Sequence, residues 1–339
     1  MLDRIIIDGY KSIKRLDLTL RPINILIGSN GVGKTNFISF FRLVNNIYEQ
    51  RLQNYTMQNR AESLLHYGLK HTKQIEGLLQ FSANAYSFTL QPRDNGSMFL
   101  AEEKSHYRQY ANVFQNREES IIKHSPKTRD QWLRAYLQSY KIYHFHDTSA
   151  NSPFTQTSNV ENDKYVLYSK GQNLAAFLYN IHEEAPLSYN LIVGTVQSIA
   201  PYFGDFYLHP TPAGQIRLQW TSRYSETIYG PTDLSDGTIR FIALATLFLQ
   251  PSLPATIIID EPELGLHPAA ITKLAGIMKS ASGKDCQIIA ATQSADLLSH
   301  FLPNDIVAVD LVDGASRFQR LNNEALSIWL DNYYRNNAH

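Results

Sequence analysis

The N-terminal third of the chain combines two hydrophobic periodicities. Apolar residues at strand spacing predict strands at residues 4–8, 16–20 and 24–28, and apolar residues at helical spacing predict a helix at 36–48. Three further short strands are expected at 74–81, 85–90 and 97–102, with an Asp94-Asn95-Gly96 turn before the last. This part is therefore expected to hold a strand–loop–helix unit and an antiparallel sheet.

The middle of the chain has a more polar, helical pattern. Residues 107–140 and 173–200 are predicted to be helical, with a strand at 141–145 and a Ser-, Thr- and Asn-rich loop at 147–163 between them. We therefore expect a helical insertion lobe at residues 106–200. It would separate an N-terminal core segment, residues 1–105, from a C-terminal core segment, residues 201–339.

The last third alternates strictly between helices and strands. After two strands at 203–208 and 215–220, helices are predicted at 238–249, 269–281 and 295–301, and strands at 256–260, 287–291 and 306–310. A further strand and a closing helix at 324–334 are expected to follow. Such alternation indicates a parallel sheet with helices on both faces. The predicted fold class is α/β, with a mixed sheet, an antiparallel β subdomain and an inserted helical lobe.

Composition excludes several classes of protein, among them disulfide-rich and membrane-spanning ones, but it does not identify a binding partner. Lys plus Arg equals Asp plus Glu at 31 each, so any nucleic-acid surface must be local. A single cysteine, Cys286, excludes an internal disulfide and suits a reducing compartment. The longest apolar stretches are too short for a membrane span, and the charged N-terminus is unlike a secretory signal. We expect a cytoplasmic protein with no membrane partner.

The first motif with defined chemistry is a phosphate-binding loop. Residues 28–35 fit the pattern G-x-x-x-x-G-K-[ST] between an apolar strand and a helix, where backbone N–H groups and the helix dipole bind phosphates. Lys34 is expected to meet the β- and γ-phosphates of ATP, and the Thr35 hydroxyl to hold Mg²⁺. The alternative is a chance glycine-rich turn. The predicted nucleotide-binding residues here are Gly28, Ser29, Asn30, Gly31, Val32, Gly33, Lys34, Thr35 and Asn36.

Two adjacent acids end an apolar strand in the C-terminal part. Asp260 and Glu261 follow the run at 256–259 and so should lie at the carboxyl edge of a buried strand, where ligands bind in open α/β sheets. Asp260 suits a Mg²⁺ contact, and Glu261 suits general-base activation of water. Glu261 has an alternative interpretation as a solvated acid at a strand end.

Three segments resemble motifs of ABC-type ATPases. Leu234-Ser235-Asp236-Gly237-Thr238 resembles their signature motif, and residues 262–268 resemble their D-loop. Residues 6–13 resemble the first strand and turn of the branch that contains SMC proteins, RecF and OLD-type ATPases. The resemblance implies an ATPase head that binds a second copy head to tail. Ser235, Asp236 and Gly237 of one subunit would then bind the nucleotide held by Lys34 of the other.

Three positions depart from the general ABC pattern. Asp236 stands where the signature usually has its second glycine, His267 stands where the D-loop usually has an acid, and Gln293 stands where the switch histidine is expected. Glutamine can donate a hydrogen bond to a γ-phosphate but cannot carry charge. We therefore assign Gln293 a catalytic role, beside Glu261, and expect slow hydrolysis.

Weaker signals leave alternatives open. Lys11 corresponds to a basic residue near the nucleotide in related proteins, or is simply a solvated lysine. The cluster at residues 144–147 (HFHD) is a candidate Q-loop region at the nucleotide edge, a packing element or a metal site. Between residues 104 and 141, eight Lys or Arg and three acids are interleaved with aromatics, which suits either a nucleic-acid face or a solvated helical arm.

The predicted function is an ATPase whose ATP-dependent dimerisation gates DNA or a partner protein. Kinship implies DNA maintenance or anti-phage defence, with a homodimer or higher oligomer and a possible separate nuclease or toxin subunit. The 45 residues after Ser294 are too few for the Toprim nuclease of OLD proteins, so no DNA cleavage by this chain is expected. The alternatives are a non-hydrolysing nucleotide sensor or scaffold, and a transporter ATP-binding subunit, although the Gly-Gly-Gln signature and switch histidine of transporters are missing.

Overall fold

The computed structural model describes residues 1–322 and Trp329. The predicted closing helix at 324–334 therefore lies outside the described residues, apart from Trp329. The helices are α1 (Lys34–Tyr48), α2 (Leu52–Asn59), α3 (Ala61–Leu64), α4 (Thr128–Leu137), α5 (Leu174–Glu184), α6 (Pro186–Ile199), α7 (Asp236–Leu249), α8 (Pro268–Ser282) and α9 (Ala295–Ser299). The strands are β1 (Arg4–Tyr10), β2 (Ile13–Thr19), β3 (Ile23–Ile27), β4 (Ile75–Phe81), β5 (Asn84–Pro92), β6 (Met98–Tyr107), β7 (Tyr110–Arg117), β8 (Tyr140–Tyr143), β9 (Ser158–Asn159), β10 (Phe203–Phe206), β11 (Gln215–Ile216), β12 (Trp220–Ser222), β13 (Ser225–Tyr229), β14 (Thr256–Asp260), β15 (Gln287–Thr292), β16 (Ile306–Val312) and β17 (Ala315–Arg320).

A mixed six-stranded sheet brings the two ends of the chain together. Its order is β17-β16-β3-β15-β14-β8, and only the β16–β17 pair is antiparallel. Every residue of β14 and β15 is buried, as expected for parallel strands covered on both faces. Alternate residues of these strands enter two separate cores, so that Ile257 and Ile259 face one core and Ile258 faces the other. The predicted α/β class is confirmed.

The second six-stranded sheet is wholly antiparallel, with the order β2-β1-β4-β5-β6-β7. Its inner face packs with α1 in one core, where Phe40 lies 5.9 Å from the Phe88 ring. The first residues of α1 are thereby anchored between the two sheets. The predicted antiparallel subdomain is confirmed.

The helical interpretation of residues 107–140 is wrong for its first part. Residues Tyr110–Arg117 form β7, an edge strand joined to β6 by a tight turn in which Arg108 has φ 51°. Most of its side chains are exposed, so its polar composition resembled that of a solvated helix. Pairing with β6 makes residues 110–117 a strand. Within the range 107–140, the only α-helix is α4. The predicted boundary between residues 105 and 106 lies within β6, and the division into domains stays a prediction.

Two helices, α5 and α6, replace the single one expected at 173–200. The helical conformation is interrupted at Ala185, and α6 begins at Pro186. Proline is tolerated at the first position of a helix because the N–H that it lacks has no partner within the helix there. Both helices contribute to the core on the α7 side of the mixed sheet. With α4, they are the α-helices of the segment for which an inserted lobe is predicted, residues 106–200. None of the helices in the described part of the chain combines the length and the apolar character needed to cross a bilayer.

Candidate functional site

The phosphate-binding loop joins the end of β3 to the first residue of α1. Its backbone is left-handed at Gly31 and Gly33, with φ of 80° and 115°. A Cβ at Gly33 would collide with the hydroxyl of Ser316, so both the conformation and the space require glycine. The loop therefore presents backbone N–H groups at a helix N-terminus, the arrangement that binds phosphates.

Two serines brace this loop from distant parts of the sequence. Ser316 of β17 is buried, and its hydroxyl donates to the Val32 carbonyl at 2.6 Å and lies 2.7 Å from Ser12 Oγ. Asn36, a predicted nucleotide-binding residue, donates its side-chain amide to Ser12 Oγ at 2.7 Å. Sequence reasoning missed the role of both serines. Ser12 lies in a segment with family resemblance, but no sequence signal marks Ser316.

Lys34 is buried and folded back on the loop. Its Nζ donates to the carbonyls of Gly28 at 2.6 Å and Ser29 at 2.9 Å. Burial lowers the pKa of Lys34, while the neighbouring Asp260 and Glu261 oppose that shift. Because the amine has only neutral carbonyl partners, a phosphate would offer it a stronger, charged acceptor.

Thr35 and Asp260, the two predicted Mg²⁺ ligands, meet across the site. The Thr35 hydroxyl lies 3.3 Å from Asp260 Oδ2 and donates to it. Burial, followed by the nearby Glu261, raises the pKa of Asp260. These two oxygens fit Mg²⁺, which binds through one or two protein oxygens and takes its other ligands from phosphates and water. Among the described residues, no group of three or more His, Cys, Asp or Glu is placed to hold a metal ion.

Replacing Asp260 with asparagine is expected to stabilise the nucleotide-free protein at neutral pH by about 1 kcal/mol. The raised pKa means that the ionised carboxylate disfavours the folded state, and asparagine keeps the size without the charge. The gain should be complete above the raised pKa and should vanish as the pH falls through it toward 3.8. Thermal unfolding across this range measures it, with Asp94→Asn as an exposed control. A gain that does not depend on pH would contradict the charge explanation.

The two predicted catalytic residues are in direct contact. Gln293 donates its side-chain amide to Glu261 Oε1. Glu261 has a left-handed backbone, φ 44°, and its N–H donates to the Ala291 carbonyl at 2.8 Å. Such a conformation is costly for a non-glycine residue, and it recurs at active sites where side-chain direction matters. The strand end therefore sets the direction of the Glu261 carboxylate.

A third acid, Glu263, lies beside this pair. Its Oε1 accepts the Thr292 hydroxyl and, at 3.4 Å, the Gln293 N–H, whereas its buried Oε2 has no hydrogen-bond partner in the described structure. Burial raises the pKa of Glu263. Sequence reasoning placed Glu263 only in the D-loop. The repeated acid of Glu261-Pro262-Glu263 was the available signal.

The signature motif forms the start of α7, where Ser235 and Asp236 are exposed. Ser235 caps the helix, accepting the Thr238 N–H at 3.2 Å, and Asp236 is exposed. A Cβ at Gly237 would lie 2.5 Å from the Gly265 carbonyl, so this glycine permits α7 to pack on the D-loop. Among the described residues, no hydrogen bond joins residues 235–237 to the phosphate-binding loop of the same chain.

Arg240 ties α7 to two other segments of the site. It is buried and donates to the carbonyls of Phe145 at 2.9 Å, His146 at 3.0 Å and Leu264. Burial lowers the pKa of Arg240, and Asp236 opposes that shift. The guanidinium thus fixes the start of α7 against the D-loop and the segment that follows β8.

The two histidines of the 144–147 cluster have different partners. His146 Nε2 lies 2.8 Å from the Asp260 carbonyl oxygen, and His144 Nε2 lies 2.7 Å from an Arg42 guanidinium nitrogen. The rings are 6.2 Å apart and steeply inclined. His146 therefore lies at the edge of the site near Asp260, the Q-loop interpretation stays a prediction, and the two rings do not share one ligand position.

Lys11 lies beside the start of α1 and is half-buried rather than freely solvated. Its Nζ donates to Ser39 Oγ at 3.1 Å, and burial, followed by Arg42, lowers its pKa. Lys11 and Asn36 also line a cleft of about 540 Å³ together with Tyr67, whose side chain is 59% exposed. This cleft adjoins the phosphate-binding loop and offers an aromatic surface.

The cationic segment at 104–141 does not present one continuous basic face. Lys104 pairs with Glu102 at 2.5 Å, Lys123 pairs with Glu49, and Arg134 donates to backbone carbonyls. Two of its aromatics are also used in packing, since Tyr136 stacks on Phe81 and Tyr140 is buried. The aromatics that stay exposed are Tyr107, Tyr110 and Trp132.

Comparisons with known proteins identify the family and the fold of the chain. Residues 23–299 match the family described as "AAA domain, putative AbiEii toxin, Type IV TA system". An OLD nuclease of Thermus scotoductus is 22% identical over 324 residues, which takes in 87% of this chain and 59% of that protein. The chain therefore spans less than two thirds of that relative's length.

Solved structures of SMC heads share the fold. An SMC head bound to the C-terminal winged-helix domain of ScpA is 16% identical with a TM-score of 0.64, covering 96% of this chain and 99% of that one. An SMC head with an extended coiled coil, bound to the C-terminal domain of ScpA derived from Pyrococcus furiosus, is 14% identical with a TM-score of 0.56 and 98% coverage of both chains. The resemblance expected from the motifs is confirmed.

Proposed function

The chain belongs to the AAA domain family matched above and has the fold of an SMC head, and from this premise we propose that it is a slow Mg²⁺-dependent ATPase that works as a dimer. The observation that carries the proposal is the convergence of five side chains at one edge of the mixed sheet. These are Lys34, Thr35, Asp260, Glu261 and Gln293.

Each of these residues has a defined part in hydrolysis. Lys34 and the loop N–H groups bind the phosphates, and Thr35 and Asp260 hold Mg²⁺, which neutralises phosphate charge when bound. Glu261 accepts the proton of the attacking water. Gln293 orients Glu261 and the γ-phosphate, but it adds no positive charge in the transition state, and this makes the reaction slow.

The nucleoside of ATP lies in the cleft next to α1. Lys11 and Asn36 line this cleft, and the exposed Tyr67 ring gives a stacking surface for the base. We place the nucleoside there because the cleft is continuous with the phosphate-binding loop: Asn36, which lines the cleft, lies two residues beyond Lys34 on the same helix. Lys11 then contacts the nucleotide from the β1–β2 turn.

A second subunit completes the site. Ser235 caps a 14-residue helix that begins with Asp236 and Gly237; Ser235 and Asp236 are exposed, Gly237 is half-buried, and the helix N-terminus favours an anion. Since these residues bind nothing in their own phosphate-binding loop, the nucleotide of a head-to-tail partner is the ligand that fits them. ATP binding then closes the dimer, and hydrolysis opens it.

The dimer gates DNA or a separate effector protein. The matched family is described by a putative toxin, the Thermus scotoductus relative is named a nuclease, and the SMC heads were solved with ScpA domains. The ScpA complexes support a separate partner subunit, and the toxin and nuclease names suggest what such a partner does; a separate nuclease or toxin subunit, acting in defence or DNA maintenance, is our proposal. The same proposal assigns residues 1–105 and 201–339 to the ATPase core and residues 106–200 to the inserted helical lobe.

One observation favours a second candidate, a nucleotide sensor that does not hydrolyse ATP. The amide of Gln293 donates to Oε1 of Glu261, one of the two carboxylate oxygens that could take a proton from water. If that contact persists with ATP bound, it stabilises the ionised carboxylate and makes Glu261 a weaker base. The protein would then change its assembly on binding ATP without turning it over.

Purified protein with Mg²⁺ and ATP tests the proposal. We expect ATP binding by calorimetry, a doubling of mass by light scattering, and phosphate release below about 1 s⁻¹, a typical lower value for enzymes. A chelator should stop phosphate release. Binding and dimerisation without turnover would establish the sensor instead, and failure to bind ATP would contradict both candidates.

A further inference from the structure

A second large cleft lies between α1, β8 and the loop at residues 166–172. Its volume is about 860 Å³, which falls in the range of small-molecule sites. None of the residues of the phosphate-binding loop lines it. Three exposed cations do, namely Arg42, Lys141 and Lys170, and no Asp or Glu is among its described lining residues. The cleft is therefore a concentration of positive charge in a chain whose net charge is zero.

The positive charge is only weakly offset from within the protein, since Asp147 interacts with Lys170 without forming an ion pair with it. None of the three cations forms an ion pair with another residue in the described part of the chain. Arg42 instead contacts His144, with 2.7 Å between a guanidinium nitrogen and Nε2. Because a guanidinium has only donors, His144 must accept with a ring nitrogen that carries no proton. Burial, followed by Arg42, lowers the pKa of His144 to about 4, so the ring adds no charge of its own at neutral pH.

We propose that this cleft binds a phosphate-bearing small molecule of nucleotide size, as a site separate from the ATP site. Three cations without acids match the charge of one or two phosphate groups. The exposed Tyr168 ring, held by a hydrogen bond from its hydroxyl to Asp163 at 2.9 Å, offers an aromatic surface, and Asn45 offers an amide. An extended nucleic acid would need a longer basic track than this one cleft supplies.

The cleft contacts the ATP site through two elements. Arg42 lies on α1, the helix that begins with Lys34. His144 lies two residues before His146, whose ring contacts the Asp260 carbonyl at 2.8 Å. An anion in the cleft would compete with His144 for the Arg42 guanidinium. Its binding would therefore affect α1, which begins with Lys34, and the segment of His144 and His146, which contacts Asp260. The ligand is therefore an effector rather than a substrate of the ATPase.

Calorimetric titrations with pyrophosphate and 5′-AMP test the site in a Lys34→Ala background, in which the phosphate-binding loop is disabled. Adding Arg42→Gln and Lys170→Gln should weaken binding of these probes at least about tenfold. Adding Lys273→Gln and Lys284→Gln instead, which removes two exposed lysines outside the cleft, should change it less than about twofold. Thermal unfolding confirms that each variant is folded, since all four positions are exposed.

Three results would overturn the proposal. The first is that neither probe binds, and the second is that the cleft variant and its control bind equally. The third is that a single-stranded DNA oligonucleotide binds through Arg42 and Lys170 while both small probes do not, which would make the cleft a nucleic-acid contact. Because every protein in the comparison lacks Lys34, none of these results depends on whether the protein hydrolyses ATP.

Discussion

Replacing Glu261 with glutamine is expected to lower ATP turnover about a thousandfold while ATP binding is kept. Glutamine has nearly the same shape and can still accept the Gln293 hydrogen bond, so the site stays assembled. It cannot take a proton from water. Hydrolysis therefore stops after the dimer has closed, and the variant should accumulate as an ATP-bound dimer in light scattering, whereas the wild type returns to monomer as ATP is consumed.

An exposed acid outside the site provides the control for this variant. Glu226→Gln removes the same charge from β13 and should leave both turnover and dimer lifetime unchanged. Turnover by Glu261→Gln within about twofold of wild type would show that another group accepts the proton. If wild type and Glu261→Gln both bind ATP and neither releases phosphate, the Gln293–Glu261 contact is a block, and the sensor is the correct function.

Replacing Ser235 with arginine should weaken ATP-dependent dimerisation at least about a hundredfold and leave ATP binding by the monomer unchanged. Ser235 is exposed at the start of α7, where it has no contact with the phosphate-binding loop of its own chain. A long side chain there occupies the space that the partner's nucleotide would fill. Loss of the helix cap costs only about 1 kcal/mol, too little to unfold the head.

Two companion variants separate the interface effect from the cap. Ser235→Asn keeps a capping side chain of modest size and should dimerise more strongly than Ser235→Arg. Ser280→Arg places the same bulk on the exposed face of α8 and should dimerise like wild type. The comparison is sharpest in the Glu261→Gln background, which holds ATP in place. Persistent dimers of Ser235→Arg would show that the signature motif does not act across an interface.

The parts of the site that could be predicted are those encoded in one continuous segment. The phosphate-binding loop follows a buried strand directly, and Asp260 and Glu261 follow another, so local pattern alone puts them at strand ends. Parallel pairing of β14 with β15 then brings Gln293 to the same edge. The resemblance to ABC-type motifs supplied the rest of the assignment.

The parts that could not be predicted depend on pairing between distant segments. Ser316 supports the loop at Val32 only because β17 returns to it across 284 residues, and serine in a polar strand carries no local signal. The buried position of Glu263 follows from the turn after β14, which no periodicity reveals. The wrong helical prediction for β7 has a local cause instead. This exposed edge strand has too few apolar residues to show the two-residue alternation that indicates a strand.

Arg240 gives the proposed dimer a property that neither active site has alone. It joins the start of α7, which we propose faces the partner's nucleotide, to the carbonyl of His146, whose ring contacts the Asp260 carbonyl of its own site. In the proposed dimer, closure on one nucleotide would reach the magnesium side of the other site through this contact. Such coupling would make ATP binding at the two sites cooperative, and the assembly would then respond to ATP concentration as a threshold.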